Sequence, residues 1–198
     1  MKIRELSIEG AWEFTPAQFP DIRGTFSVWF DEKFFTEATG HSLRLGQTNH
    51  AVSRKGTIRG VHYAQVPPGQ AKYVYCPRGA VVDVIVDIRV GSPTFGQWEA
   101  MSLNQENLTG VYLAEGLGHS YVALEEDSVL VYLCSERYRP EAEFGINPLD
   151  PDLDLPWPTD VQHILSDRDK NAPGLRKAEE MGILPDYQAC LDFVRNTQ

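Results

Sequence analysis

One run of eleven residues, AVVDVIVDIRV at positions 80–90, constrains the fold more than any other stretch of the chain. Val82, Val84, Val86, Ile88 and Val90 fall on one side of it, and Asp83 and Asp87 on the other. A period of two marks a strand, because successive side chains leave a pleated backbone on opposite faces. The parity predicts a half-buried strand. Similar short segments surround it. RGTFSVWF alternates after the Arg23-Gly24 turn, with Phe26, Val28 and Phe30 on one face, and LRLGQTNHAVS continues the pattern. SRKG turns into TIRGVHYAQV, PPG at 67–69 ends that strand, and AKYVYC begins the next. After the GSPTFG turn come QWEAMSL, GVYLA, SYVAL and SVLVYLCS. Many short strands at near-regular spacing, with little helical periodicity, predict a mostly β sandwich or barrel.

The end of the chain reads differently. Residues 147–158, NPLDPDLDLPWP, carry too much proline to continue a central strand and are expected to wrap the outside. Asn171 is expected to cap a helix with Pro173 in its first turn and Gly182 at its stop. A second helix is expected from about Pro185, with Tyr187, Leu191 and Val194 on one stripe. No repeat or low-complexity segment interrupts the sequence. The chain of 198 residues suits one domain, 1–198, with a core barrel over about 20–140 and a wrap with helices over about 147–198.

Composition narrows the partners. No apolar run approaches the roughly 20 residues that cross a bilayer, and MKIRELSIEGAWEF lacks the apolar stretch of a secretory signal. The three cysteines, Cys76, Cys134 and Cys190, form neither a disulfide framework nor a zinc knuckle. A reducing cytoplasm and structural thiols are expected. A net charge of −10 argues against a nucleic-acid polymer. It leaves room for a small anion, since screening confines each charge to about 10 Å.

Residues 56–76, GTIRGVHYAQVPPGQAKYVYC, set Arg59, His62 and Lys72 among small, β-branched and aromatic residues. By strict alternation Arg59 and His62 face opposite ways, but Gly60 permits a bulge that turns both inward. Lys72 follows a turn, Tyr132 lies mid-strand and His119 follows another turn, so a closing sheet can bring them to one cavity. Two histidines in a small barrel also raise a metal site. That reading needs a close His-x-His pair, and His62 is followed by Tyr63 and Ala64. Neither a G-x-S-x-G elbow nor a glycine-rich phosphate loop occurs. Proton transfer without a cofactor remains. It needs a base near neutrality, for which His62 is suited. A cation such as Lys72 can hold a developing enolate oxygen, and a buried tyrosine can act as acid on the opposite face. SDRD at 166–169 offers a carboxylate to orient the histidine, and spacing does not separate Asp167 from Asp169.

Taken together, DIRGTF, GQTNHAVSRKGTIRGVHY, the Lys72 segment through DIRVGSPTFG, LVYLCSERYRPEAEFGINPLDPDL and LSDRDKNAP resemble the dTDP-4-dehydrorhamnose 3,5-epimerase family, including its relatives in antibiotic deoxysugar pathways. The likeness extends over roughly residues 1–185 with order and spacing preserved. It implies a cupin-type jelly-roll barrel, a strand-exchanged homodimer and no metal or other cofactor. The implied substrate is a dTDP-4-keto-6-deoxyhexose inverted at C3, C5 or both. His62 matches the family's base, Asp169 its partner, Tyr132 the acid and Lys72 the residue on the 4-keto oxygen. Arg23, Phe26, Gln47, Asn49, Arg59, His119, Tyr138, Glu143 and Arg168 match positions that bind the sugar nucleotide. Two departures stand out: Val28 where the family usually has an acidic residue, and GHSY at 118–121 in place of A-H-G-F. Both bear on substrate identity, and they lean towards a secondary-metabolite deoxysugar pathway.

Overall fold

Turn and strand signals resolve into short strands that pair only antiparallel in two sheets and a separate hairpin. The structure, a computed structural model, describes residues 1–196. The chain opens with β1 (Lys2–Glu5), β2 (Ala11–Thr15), β3 (Gln18–Asp21), β4 (Gly24–Ser27) and α1 (Glu32–Thr39). The central strands are β5 (Gln47–Ser53), β6 (Ile58–Ala64), β7 (Lys72–Arg78), β8 (Ala80–Val86) and β9 (Trp98–Asn104). They continue through β10 (Gly110–Leu113), β11 (Gly118–Ala123), β12 (Ser128–Cys134) and β13 (Glu143–Gly145). The helices α2 (Asp167–Lys170), α3 (Leu175–Glu180) and α4 (Tyr187–Asn196) end the described chain. One sheet runs β1-β2-β10-β7-β12-β5 and the other β13-β6-β11-β8-β9.

The inner faces of the two sheets share one core. Val74, Val111 and Leu130 come from the first sheet, and Val81, Ile85, Leu103 and Tyr121 from the second. Each buried side chain of this size is worth about 1.5–3 kcal/mol. The outer face of the second sheet is also covered. Val84 and Val86 pack against Leu153, Leu155 and Trp157 of the wrap, and against Leu175 and Leu184. This corrects the half-buried reading of residues 80–90. Both faces of β8 are buried, Asp83 is fully enclosed, and the strand stops at Val86. Beyond it, Asp87 accepts bonds from Arg89, Ser92 and Thr94 and organises the turn into β9.

Other expectations need correction. Residues 24–30 are not one strand: β4 ends at Ser27, and Phe26 and Val28 are exposed. The helix α1 was not anticipated. Asp31 caps its first N–H groups, and Gly40 closes it with a φ of 82°. Phe35 of α1 packs with Phe14, Tyr73 and Tyr112 on the outer face of the first sheet. Asn171 does not start a helix. It closes α2, whose cap is Ser166, while α3 begins after Gly174 with no side-chain cap. Gly182, with a φ of 65°, follows the end of α3 as expected. Among the described residues no helix is long and apolar enough to cross a membrane.

Candidate active site

His62 and Lys72 stand on opposite sheets, and the space between their strands is the candidate site. His62 lies on β6, where Gly60 produces the expected irregularity. The pairing with β11 shifts between His119–His62 and Tyr121–Arg59. Gly60 has a φ of 121°, and a Cβ there would sit 2.3 Å from the carbonyl oxygen of His119. Only glycine fits. With the shift, Arg59 and His62 both line one groove of about 390 Å³, together with Ser53 and Asp169.

Asp169 reaches this groove from α2, held by the Ser166 cap. His62 Nε2 donates to Asp169 Oδ1 across 2.7 Å, with the imidazole 31% and the carboxylate 6% exposed. Sequence spacing left Asp167 and Asp169 equal; the geometry selects Asp169. Burial alone would raise its pKa. The hydrogen bond and charge of His62, with bonds from Ser166 and the Gly60 backbone, outweigh burial and lower it. Asp169 therefore stays ionised and fixes the Nε2–H tautomer. The basic lone pair is then on Nδ1.

Across from the dyad, β5, β7 and β12 present Gln47, Asn49, Lys72 and Tyr132. With His62, Tyr138, Glu143 and Arg168 they line an adjoining cavity of about 130 Å³. His62 lines both spaces, so the groove and the cavity adjoin at its ring and together make up the cleft. A chain of bonds braces the rim. Gln47 Nε2 donates to Asn49 at 2.7 Å, the Tyr138 N–H donates to Gln47 at 3.0 Å, and Arg168 donates to the Glu143 carbonyl at 3.0 Å. Lys72 is 7% exposed and faces this cavity. Tyr132 is largely enclosed. Burial first, then the neighbouring Tyr121, holds its phenol well above the usual pKa, so it is a protonated acid at neutral pH.

Three predicted binding residues stand elsewhere. Arg23 and Phe26 ride on the β3–β4 hairpin, which joins neither sheet, and Arg23 is paired with Asp21. Neither residue lines the cleft of its own chain. His119 is buried behind Tyr132, bonded to Asp83 at 2.7 Å, with its ring edge-on to Tyr132 at 6.0 Å. Gln70 was missed. It lines the cavity from the loop just before β7, and its closeness to Lys72 in sequence is the signal that could have found it. Among the described residues no three His, Cys, Asp or Glu side chains gather to hold a metal ion. Burial pushes the thiols of Cys76 and Cys134 up to about 11 and Cys190 up to about 12, so none is a nucleophile at neutral pH.

A braced His–Asp pair facing an ammonium and a buried phenol, on a mostly β scaffold with C-terminal helices, defines an isomerase built to move protons. The chain belongs to the dTDP-4-dehydrorhamnose 3,5-epimerase family, whose sequence profile matches residues 5–177. It is 54% identical to a dTDP-4-dehydro-6-deoxyglucose 3-epimerase of a Streptomyces species, over 93% of this chain and 94% of that one. It is 52% identical to a dTDP-4-dehydrorhamnose 3,5-epimerase of Mycolicibacterium smegmatis, over 98% and 96%. Its fold matches ChmJ, a 3'-monoepimerase from Streptomyces bikiniensis, with a TM-score of 0.95 and 49% identity over 97% and 96% of the chains. That structure is of a double mutant, one histidine to asparagine and one tyrosine to phenylalanine, in complex with dTDP.

Proposed function

We propose that the protein inverts C3, C5 or both in a dTDP-4-keto-6-deoxyhexose, without a cofactor and as a single domain. The observation that carries this reading is the opening of the His62–Asp169 dyad, Lys72 and Tyr132, from facing sheets, onto one cleft. His62 Nδ1 takes the proton beside the ketone, and the electron pair moves onto the 4-keto oxygen. Lys72 stabilises that enolate. Tyr132 returns a proton to the carbon from the other face, which inverts it. Arg59 and Arg54 along the groove suit a diphosphate, since guanidinium groups bind phosphate oxygens bidentately. The two residue types exchanged in ChmJ have the same sequence separation as His62 and Tyr132, and that protein binds dTDP.

The two sheets are read as a cupin-type jelly-roll barrel, and the β3–β4 hairpin as the element exchanged in a homodimer. Its Phe19, Ile22 and Phe26 are exposed in one chain. Exchange would carry Arg23 and Phe26 to the cleft of a second copy. Three buried free thiols fit a cytoplasmic setting. The relatives include both 3-epimerases and 3,5-epimerases. Incubation with dTDP-4-keto-6-deoxyglucose in deuterated water, followed by NMR, is expected to show deuterium at C3 or C5. No incorporation across several 4-keto sugar nucleotides, despite tight dTDP binding, would identify a non-catalytic binding module. Activity lost on chelation, with stoichiometric bound metal, would favour a metal-dependent enzyme.

A further inference from the structure

Behind Tyr132 lies a set of hydroxyls that the reaction above leaves unused. Tyr121 of β11 is 1% exposed and belongs to the core cluster against which Tyr132 packs, and a side-chain hydrogen bond with Tyr121 is among the causes that hold the Tyr132 phenol protonated. Its hydroxyl is 3.0 Å from Oγ of Ser53, which is also buried, at the end of β5. Arg59 Nε donates to that Oγ across 3.2 Å, and Arg59 lines the open groove beside His62. Buried hydroxyls are costly unless they are bonded. Here they form a line from the core to the cleft.

The chemistry makes a demand that this line meets. After giving its proton to the sugar, Tyr132 is a phenolate at the cavity wall, backed by Tyr121, His119 and Asp83. Burial leads the causes that disfavour that anion, followed by Tyr121, with the Asp83 carboxylate adding to them. Asp83 accepts from His119 through Oδ2, while its Oδ1 has no hydrogen-bond partner among the described residues. The phenolate must recover a proton before the next turnover.

We propose that Ser53 and Tyr121 relay a proton to Tyr132 from the Arg59 end of the groove. Tyr121 is then a positioning residue for the second proton transfer. This rests on the epimerase reading given above. As the Tyr121 O–H bond breaks, a new O–H bond forms on the Tyr132 oxygen. The Ser53 proton passes to the Tyr121 oxygen, and a groove water protonates Ser53 Oγ. The hydroxide left behind is neutralised by the proton that His62 took from the sugar, so nothing is gained, lost or oxidised over the cycle. Arg59, a permanent cation bonded to Ser53, stabilises the negative charge as it passes.

Tyr121→Phe removes one oxygen from the line and keeps the ring; Ser53→Ala removes the next. Both are compared with the unsubstituted protein on dTDP-4-keto-6-deoxyglucose in mixtures of light and heavy water, with thermal melting as the check on folding. Inversion is expected to slow at least about 10-fold in each variant, while His62-dependent deuterium wash-in changes less than about 3-fold. The double variant is expected to be no slower than either single one. The curved dependence of rate on deuterium fraction, from several protons in flight, is expected to become linear. Full inversion rate with unchanged curvature in Tyr121→Phe overturns the relay. Equal loss of wash-in and inversion in a stably folded variant overturns it too, and assigns Tyr121 to cleft shape. If Tyr121→Phe does not fold, Ser53→Ala decides by the same readouts. Absence of wash-in in the unsubstituted protein refutes the epimerase reading instead.

Discussion

At the residue scale, the division of labour between His62 and Tyr132 follows from what each can hold. The imidazole is partly exposed and braced by an ionised carboxylate, so it can accept a proton and remain charged. The phenol is enclosed and strongly protonated, so it can give a proton but not keep the resulting charge. His62→Ala is expected to reduce deuterium exchange by about 10²–10⁴-fold. Near-full exchange in that variant would remove His62 from the role of base. Tyr132→Phe is expected to suppress completed inversion more than initial exchange, measured on the same NMR samples. Both residue types were readable in the sequence, as was Lys72, because proton transfer at a carbon acid needs a base, an acid and a cation. The choice of Asp169 over Asp167 was not readable from spacing, although the family resemblance pointed to it. It depends on the single turn of α2 and its Ser166 cap, which aim one carboxylate at His62 and leave the other outside.

At the scale of elements, β8 and the turn after it show how distant segments bury a strand beside the site. The parity of residues 80–90 was legible, but its burial was read from one face only. Whether a strand is covered on its second face depends on residues 147–158 folding back over it, far away in sequence. Asp87 and Arg89 then close the turn as a pair, 0% and 2% exposed, with Asp87 bonded to both guanidinium Nε and Nη. Burial raises the Asp87 pKa, but the bonds and charge of Arg89, with Ser92 and Thr94, outweigh it and lower the value. A carboxylate lowered in the folded state contributes stability fully above its unfolded pKa of about 4. That contribution is lost as pH falls through the lower folded value. Arg89→Ala, which strands a buried carboxylate, is expected to cost about 3–5 kcal/mol in urea unfolding at pH 7. The variant should also lose stability less steeply than the parent as pH falls below about 4. A parent-like slope in the variant would show that the pair does not set the acid response. Helix α1 escaped sequence reading although Asp31 and Gly40 bracket it, because its eight residues give barely two turns in which a period can show.

At the scale of the whole molecule, the hairpin of β3 and β4 is the part that one chain leaves unaccounted for. Ile22, in the turn of the hairpin, is fully exposed, and Phe19 and Phe26, on strands that pair only with each other, are more than half exposed. Strand β5 is meanwhile an open edge of its sheet, with Val52 exposed. Exposed apolar strands and open edges favour association. Sedimentation is expected to give twice the chain mass of 22.3 kDa. Replacing residues 18–27 by a flexible linker is expected to yield a monomer with greatly reduced turnover. A fully active monomer would end the exchange proposal. The sequence by itself determined the strand content, the turns, the bulge at Gly60 and the chemical types in the cleft, because periodicity, glycine and proton chemistry act locally. Only the tertiary structure decided that His119 lies behind Tyr132, and that Arg23 and Phe26 stand outside the cleft of their own chain. Those outcomes depend on which distant strands pack face to face, and a side chain's neighbours across a core leave no mark on the residues beside it in the chain.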